Sequence, residues 1–154
     1  MFSSKFVLIL TLALATSASA SALTFESIQR GVDLYNSGVE NAPGVVKTLL
    51  GDERIQVEII RADGTALTAG LETENAVIVN ATEGEIEDPT IVLEASEEAV
   101  MGVYQADDPV AAFQEAEKKG EISVRGTTFT ARLKVAAALA STPALRFFAS
   151  LIGK

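Results

Sequence analysis

The chain has 154 residues, no cysteine, no histidine and a formal net charge of −9. A length of this order predicts one domain, and an exported chain without cysteine must fold without disulfides. The missing residue types exclude a thiolate nucleophile, a Ser-His-Asp triad and a metal site built from His or Cys. The acidity argues against nucleic acid as a partner, because the chain repels phosphate backbones.

The first 22 residues have the three-part layout of a secretory signal peptide. Lys5 supplies a positive charge, residues 6–15 (FVLILTLALA) are apolar, and small residues follow up to Ala22. Cleavage after Ala20 and cleavage after Ala22 fit the small-x-small pattern equally well. The sequence therefore predicts a secreted or extracytoplasmic protein with a single domain over residues 23–154. An uncleaved N-terminal anchor is the alternative.

Two helices are expected before the first strand. Phe25, Ile28, Val32 and Tyr35 follow one another at intervals of three or four residues, which puts them on one face of a helix. A shorter helix is expected over residues 43–50, because Gly51 follows its last apolar positions.

Alternating and continuous apolar runs then predict strands. Residues 55–59 alternate between apolar and polar types, and Asp63-Gly64 is a hairpin signal before a second strand over residues 66–72. Residues 76–81 (AVIVNA) are almost continuously apolar, which predicts a third strand at the centre of the sheet. A fourth strand is expected from Pro89 to residue 95.

The loop before the fourth strand, residues 83–88 (EGEIED), carries four carboxylates. Hard oxygen ligands of this kind bind Ca²⁺, but the spacing is not that of a known calcium loop, so a solvated loop is the favoured interpretation. Asn80-Ala81-Thr82 just upstream is a glycosylation sequon that falls within the third predicted strand.

Caps and glycines mark the elements of the second half. Ser96 is expected to cap a helix over residues 97–104. Asp108 with Pro109 begins the next helix, and Gly120 closes it in a left-handed conformation. A fifth strand with Ile122 and Val124 on one side follows, and Gly126 is expected to let the chain turn sharply. Thr127 or Thr128 is expected to cap the next helix, and Thr142, before Pro143, is expected to cap the last one.

The last two helices are strongly apolar. Phe129, Leu133, Ala136 and Ala140 recur at helical spacing, which predicts that they face inward. The final helix has a large apolar surface that either docks on the core or acts as a mobile lid or a transient membrane contact. Its apolar residues are Leu145, Phe147, Phe148, Leu151 and Ile152.

Strands grouped before the main helices predict an α+β fold. The sheet would have five strands, would be mainly antiparallel, and would be covered on one face by helices. A single late strand must join a sheet that residues 54–95 have already built, which explains why a helix, two glycines and a short strand stand so close together in residues 108–126.

These motifs, in this order, resemble the sterol carrier protein 2 (SCP2) domain over about residues 45–140. The resemblance implies an apolar tunnel between sheet and helices that binds lipids, fatty acyl groups or sterols, with no catalytic residue and no cofactor. The predicted export signal and the C-terminal LIGK differ from the peroxisomal members of that family. The matching segments are RIQVEI (54–59), the Asp63-Gly64 hairpin, DPTIVLEAS (88–96), the Asp108-Pro109 helix start, KGEISVRG (119–126) and ARLKVAAAL (131–139).

Ten apolar side chains are predicted to face the space between sheet and helices. They would line a pocket for a lipid or another apolar small molecule, although a filled core has the same pattern. An exported structural or interaction module with a filled core is therefore the alternative to a carrier. No pair of Ser and Lys has a spacing that indicates catalysis, so no enzyme is predicted. The ten candidates are Ile91, Leu93, Met101, Tyr104, Phe113, Ile122, Val124, Phe129, Leu133 and Phe148.

Overall fold

The computed structural model describes residues 22–151. The predicted signal peptide, except for Ala22, and Ile152 of the final helix lie outside these residues. No helix within the described range is both long enough and apolar enough to cross a membrane.

Six α-helices and five strands make up the described part of the chain, which confirms the predicted α+β class. Their bounds are α1 Phe25–Gly38, a 3₁₀ turn Val39–Asn41, α2 Gly44–Leu49, β1 Arg54–Ile60, β2 Ala66–Glu74, β3 Val77–Glu83, β4 Ile91–Ser96, α3 Glu97–Gln105, α4 Pro109–Lys118, β5 Ile122–Gly126, α5 Phe129–Leu139 and α6 Thr142–Leu151.

The five strands form one sheet in the order β3-β2-β1-β4-β5. Three neighbouring pairs are antiparallel, and β1 and β4 are parallel, so the sheet is mixed and mainly antiparallel. The predicted central position of the third strand is wrong. β3 lies at an edge with Ile78 buried and Val77 and Val79 exposed. β1 is the central strand. Its alternation of apolar and polar residues indicated a half-buried strand instead, because Gln56 is polar although it is buried on the face opposite the helices.

The helices cover one face of the sheet. Ile55, Val57 and Ile59 of β1 point into this layer and are fully buried, together with Leu93 of β4. Phe113 of α4 lies in the same continuous apolar cluster. Burying apolar side chains at roughly 25 cal/mol per Å² is the main force that holds the two layers together.

The loop between β3 and β4, residues 84–90, crosses the opposite face of the sheet. The three carboxylates of the loop and that of Glu83, at the end of β3, are exposed, as expected, but Ile86 packs against the sheet. The amide N–H of Ile86 donates to Oε1 of Gln56 (2.8 Å), and Gln56 Nε2 donates to the carbonyl of Ala69 (3.1 Å). A Cβ atom on Gly70 would lie 2.7 Å from Cβ of Ile86, so a side chain there would push the loop away. The loop is therefore a strap that shields the central strand.

Helix α1 is fixed to the β2–β3 hairpin by two side chains near its C-terminal end. Tyr35 donates a hydrogen bond of 2.6 Å to the carbonyl of Ala76, and burial raises the pKa of its phenol well above the ordinary value. Asn36 bonds both backbone groups of Ile78: it donates to the carbonyl (2.9 Å) and accepts from the amide (3.0 Å). Asn36 thus satisfies a backbone segment of the edge strand next to a register shift.

Most predicted caps are confirmed by hydrogen bonds. The side chains of Ser96, Asp108 and Thr128 accept from the amides of the third residue beyond them, at 3.0 to 3.1 Å. Gly120 has φ of 76°, so it closes α4 in the left-handed conformation. The cap predicted at Thr142 is wrong, because the hydroxyl of Ser141 accepts from Ala144 instead (3.3 Å).

The last helix docks on the core. Its residues Ala144, Leu145, Phe147 and Phe148 are buried, and the two phenyl rings meet edge to face with centroids 5.2 Å apart. A Cβ atom on Gly38 would lie 2.8 Å from a methyl carbon of Leu151, so α6 also packs closely against the end of α1. Up to Leu151, the docked alternative is therefore confirmed.

Gly126, at the end of β5, allows the strand and α5 to touch through their backbones. A Cβ atom there would lie 2.5 Å from the carbonyl carbon of Ala131 and 2.8 Å from Cα of Arg132. Side chains do not meet atoms at such distances without moving the backbone. The glycine was expected for a sharp turn, whereas its main effect is this close approach, which sets the position of α5 against the sheet.

We expect Gly126→Ala to lower the free energy of unfolding by about 2 kcal/mol or more, because the added methyl group forces β5 and α5 apart. Urea unfolding followed by circular dichroism measures this. Gly102→Ala is the matched control: it lies in α3 with no atom within 4 Å of the added Cβ, and should raise the free energy of unfolding by about 0.5–1 kcal/mol. If the two substitutions change the free energy of unfolding equally, β5 and α5 do not approach each other closely at Gly126.

Candidate ligand-binding groove

Six of the ten predicted pocket residues lie in the core between sheet and helices. All six are buried and belong to one continuous apolar cluster. They are Ile91, Leu93, Phe113, Ile122, Val124 and Phe148. Two more, Met101 and Tyr104, are half-buried on α3. The side chains that were expected to surround a tunnel therefore fill the interlayer space to a large extent.

The inward orientation predicted for Phe129 and Leu133 is wrong. Phe129 is 74% exposed and Leu133 is 57% exposed, and both project from the outer side of α5. The face of α5 that turns inward consists of Ala131, Val135, Ala138 and Leu139. The reason is the contact with Gly126: a helix that approaches a strand backbone so closely can present only a small residue such as Ala131 at that point.

A groove of about 550 Å³ lies between β5 and α5. Its volume falls in the range of roughly 300–1,000 Å³ that is usual for small-molecule sites. Val124 of β5 and Val135 and Leu139 of α5 form an apolar floor, and Ala136 lies half-buried on one wall. Val124 is the one of the ten candidates that lines this groove. The remaining lining residues are Arg125, Gly126, Thr127 and Arg132.

Two arginines border the apolar floor. Arg132 donates from Nε to the carbonyl of Gly126 (3.4 Å), which orients its guanidinium at the end of β5. Arg125 lies 3.5 Å from a carboxylate oxygen of Glu94 in an exposed ion pair, which contributes little to stability. An apolar floor with a guanidinium rim suits a ligand that has an apolar body and an anionic end, because guanidinium binds carboxylate and phosphate well.

The position of α5 also depends on a buried ion pair. Lys134 Nζ lies 2.8 Å from Oε1 of Glu53, whose side chain is only 5% exposed. The hydroxyl of Thr90 donates to the other carboxylate oxygen at 2.5 Å. Lys134 thus joins α5 to the starts of β1 and β4 on the helix flank that faces away from the groove.

Removing the lysine should leave the Glu53 carboxylate buried without its cation. We expect Lys134→Ala to lower the free energy of unfolding by about 2 kcal/mol or more. Lys119→Ala, which removes an exposed pair with Glu115, should cost at most about 0.5 kcal/mol. Urea titrations of both variants test the difference, and equal losses would mean that the Glu53–Lys134 pair does not position α5.

Sequence reasoning missed Arg125, Arg132 and Leu139 as site residues, and it placed Ala136 on an inward face. A usable signal was present in the charge distribution. All 21 acidic residues lie at or before Glu121, whereas residues 122–154 contain Arg125, Arg132, Lys134, Arg146 and Lys154 and no acid. An acidic chain with a basic final segment indicates that this segment meets an anionic group.

Within residues 22–151, no group of three or more Asp or Glu side chains is arranged so that it could hold a metal ion.

No protein-family model matches the chain, and no curated protein matches it significantly. Among solved structures, a crystal structure of sterol carrier protein 2 superposes with a TM-score of 0.50 at 13% identity, over 79% of this chain and 92% of that one. The sterol carrier protein domain 2 of Helicoverpa armigera gives 0.48 at 14% identity, over 80% and 86%. The apo form of sterol carrier protein 2 from Yarrowia lipolytica gives 0.44 at 17% identity, over 77% and 97%. The first of these superpositions shows that this chain has an SCP2-like fold.

Proposed function

We propose that this protein is an exported, non-catalytic carrier that binds an acyl-chain-like ligand in the groove between β5 and α5. The observation that carries the proposal is the combination of an apolar floor with a rim of two arginines. The SCP2-like fold supports it, since the similar structures are named as sterol carriers. The absence of His and Cys from the sequence is consistent with binding without chemistry.

The chemistry of the groove favours a fatty acid or a similar anionic amphiphile over a sterol. Arg125 and Arg132 stand at the rim, where a carboxylate would stay hydrated and still reach a guanidinium. Burying about ten methylene groups contributes roughly 8 kcal/mol, and the cost of immobilising the ligand reduces this. An affinity in the micromolar range or weaker is therefore expected, which suits a carrier that must release its cargo.

The binding test fills the groove. Ala136→Phe should reduce the affinity for a fluorescent fatty acid at least about tenfold, because the ring occupies the space of the ligand. Ala137→Phe is the matched control: it adds the same ring one residue further on, at an exposed position that does not line the groove. Both variants should melt close to the parent temperature. If the two variants bind the fatty acid equally well, the groove is not the site.

The rim should distinguish charged from neutral ligands. Arg132→Gln is expected to weaken binding of a fatty acid about tenfold, since a charge-assisted hydrogen bond is lost. It should change binding of the fatty alcohol of the same length much less. Competition against the fluorescent fatty acid measures both affinities. If the substitution weakens binding of the acid and of the alcohol equally, Arg132 contributes packing rather than charge, and the ligand need not be anionic.

The second candidate function is an interaction module without a small ligand. The observation that favours it is the buried state of six predicted tunnel residues within one continuous core. Native mass spectrometry of protein purified from its own host separates the two functions. A co-purifying lipid supports the carrier, whereas a ligand-free protein that also fails to bind the fluorescent fatty acid supports the module.

A further inference from the structure

We propose that the outer face of α5 docks on a membrane surface that carries anionic lipid headgroups. The outer face is defined by Phe129, Leu133, Ala137 and Ala140, which are all exposed. The proposal stands independently of the ligand groove, because it concerns a different side of the helix and a different measurement.

The geometry of α5 divides the helix into three sectors. At 100° per residue, Phe129, Leu133 and Ala140 lie within about 40° of one another. The buried positions Ala131 and Ala138 lie on the opposite side. Arg132 and Ala136, which line the groove, lie on the flank next to the outer face. α5 thus has one apolar stripe for the core and a second apolar stripe that nothing covers within residues 22–151.

The exposure of this stripe is unusual for the chain. Five large apolar side chains are exposed within the described residues, and Phe129 and Leu133 are the two most exposed of them, at 74% and 57%. They stand one helical turn apart, where both can enter the same apolar medium. Single apolar side chains scattered on a surface need no explanation, whereas two that stand together on one helix face offer a surface for an interaction.

Charge complementarity identifies an anionic lipid surface as the partner of the outer face. The whole chain carries −9, so its average surface is repelled by anionic lipid. The segment from Ile122 to the C-terminus contains no acid. Arg132, which flanks the outer face, is exposed, and so is Arg125, although Arg125 also pairs with Glu94. An apolar face with a cation on its flank is the arrangement that lies in the headgroup region of a bilayer. Each arginine near an anionic surface is expected to strengthen binding about fivefold. The acidic remainder of the molecule would then point away from the bilayer.

Val79 on β3 provides an internal control. It is 53% exposed, close to the value for Leu133. Its surroundings are acidic, because it shares a surface pocket with Asp52, Glu72 and Glu74. If exposed apolar surface alone caused membrane contact, Val79 and the outer face of α5 would behave alike. If charge complementarity decides, only α5 should meet the bilayer.

The absence of tryptophan from the chain makes a local test possible. Phe129→Trp and Val79→Trp each introduce a single tryptophan into the full-length protein, which can be excited selectively beside the two tyrosines. The vesicles contain phosphatidylcholine with about one-third phosphatidylglycerol, which gives an anionic surface. We expect the emission of Trp at position 129 to shift to shorter wavelength and to be quenched by brominated lipid, while Trp at position 79 stays unchanged. The readout is local, so membrane binding through residues 1–22 would leave both fluorophores unquenched and would overturn the proposal.

Two further measurements test the electrostatic and the apolar contributions to membrane binding. Vesicles of phosphatidylcholine alone, or a high salt concentration, should abolish the shift at position 129, because surface electrostatics is screened. The double variant Phe129→Ser/Leu133→Ser should lose the binding that anionic vesicles add and keep the parent melting temperature, since both side chains are exposed. A shift at position 129 that appears without vesicles, rises with protein concentration and accompanies a doubled mass in light scattering would overturn the proposal in favour of an interface between two copies.

Discussion

The backbone contact between Gly126 and α5 is the constraint on which the rest of this end of the molecule depends. It fixes how close the helix lies to β5, and therefore which residues of α5 can face the sheet. Ala131 fits at that point, and the helical repeat then turns Val135, Ala138 and Leu139 inward. The same rotation leaves Phe129 and Leu133 outside and opens a groove beside Ala136. One missing side chain thus determines the core contact, the groove and the exposed face of a single helix.

The Glu53–Lys134 pair reinforces that arrangement from the other flank. Close packing at Gly126 holds only the first turn of α5, whereas Lys134 lies further along the helix and is tied to the starts of β1 and β4. A buried ion pair is a costly way to gain stability, because both charges lose hydration. The pair acts here on geometry, because it restricts rotation of α5 about its own axis. The orientation about that axis determines which stripe of the helix packs against the sheet.

Much of the fold was predictable from the sequence because it is encoded locally. The caps at Ser96 and Asp108 and the left-handed Gly120 depend on neighbouring residues and were predicted correctly, and Thr128 is the one of the two predicted threonines that caps α5. The failures concern contacts between distant segments. Periodicity alone favoured the larger side chains of α5 as the inward face, because it carries no information about the distance to β5. The burial of Gln56 depends on a strap that crosses from the far edge of the sheet, so the central strand was misassigned to residues 76–81. The groove was missed for the same reason: its walls come from two elements whose separation is set by a tertiary contact.

The strap also has a consequence for the order in which the protein folds. Ile55 pairs with Ile91 in the parallel centre of the sheet, and nearly all of the intervening chain is the β2–β3 meander and the strap. Closing a loop of about 36 residues directly costs roughly 3 kcal/mol in chain entropy, about twice the cost of closing the short β1–β2 hairpin. The meander should therefore form first, and the strap then carries the chain across it and delivers β4 to the free edge of β1. Ile86 packs over Gly70 and so fixes the length of that crossing. The strap therefore helps to set the register between β1 and β4, the only parallel pairing among the described strands.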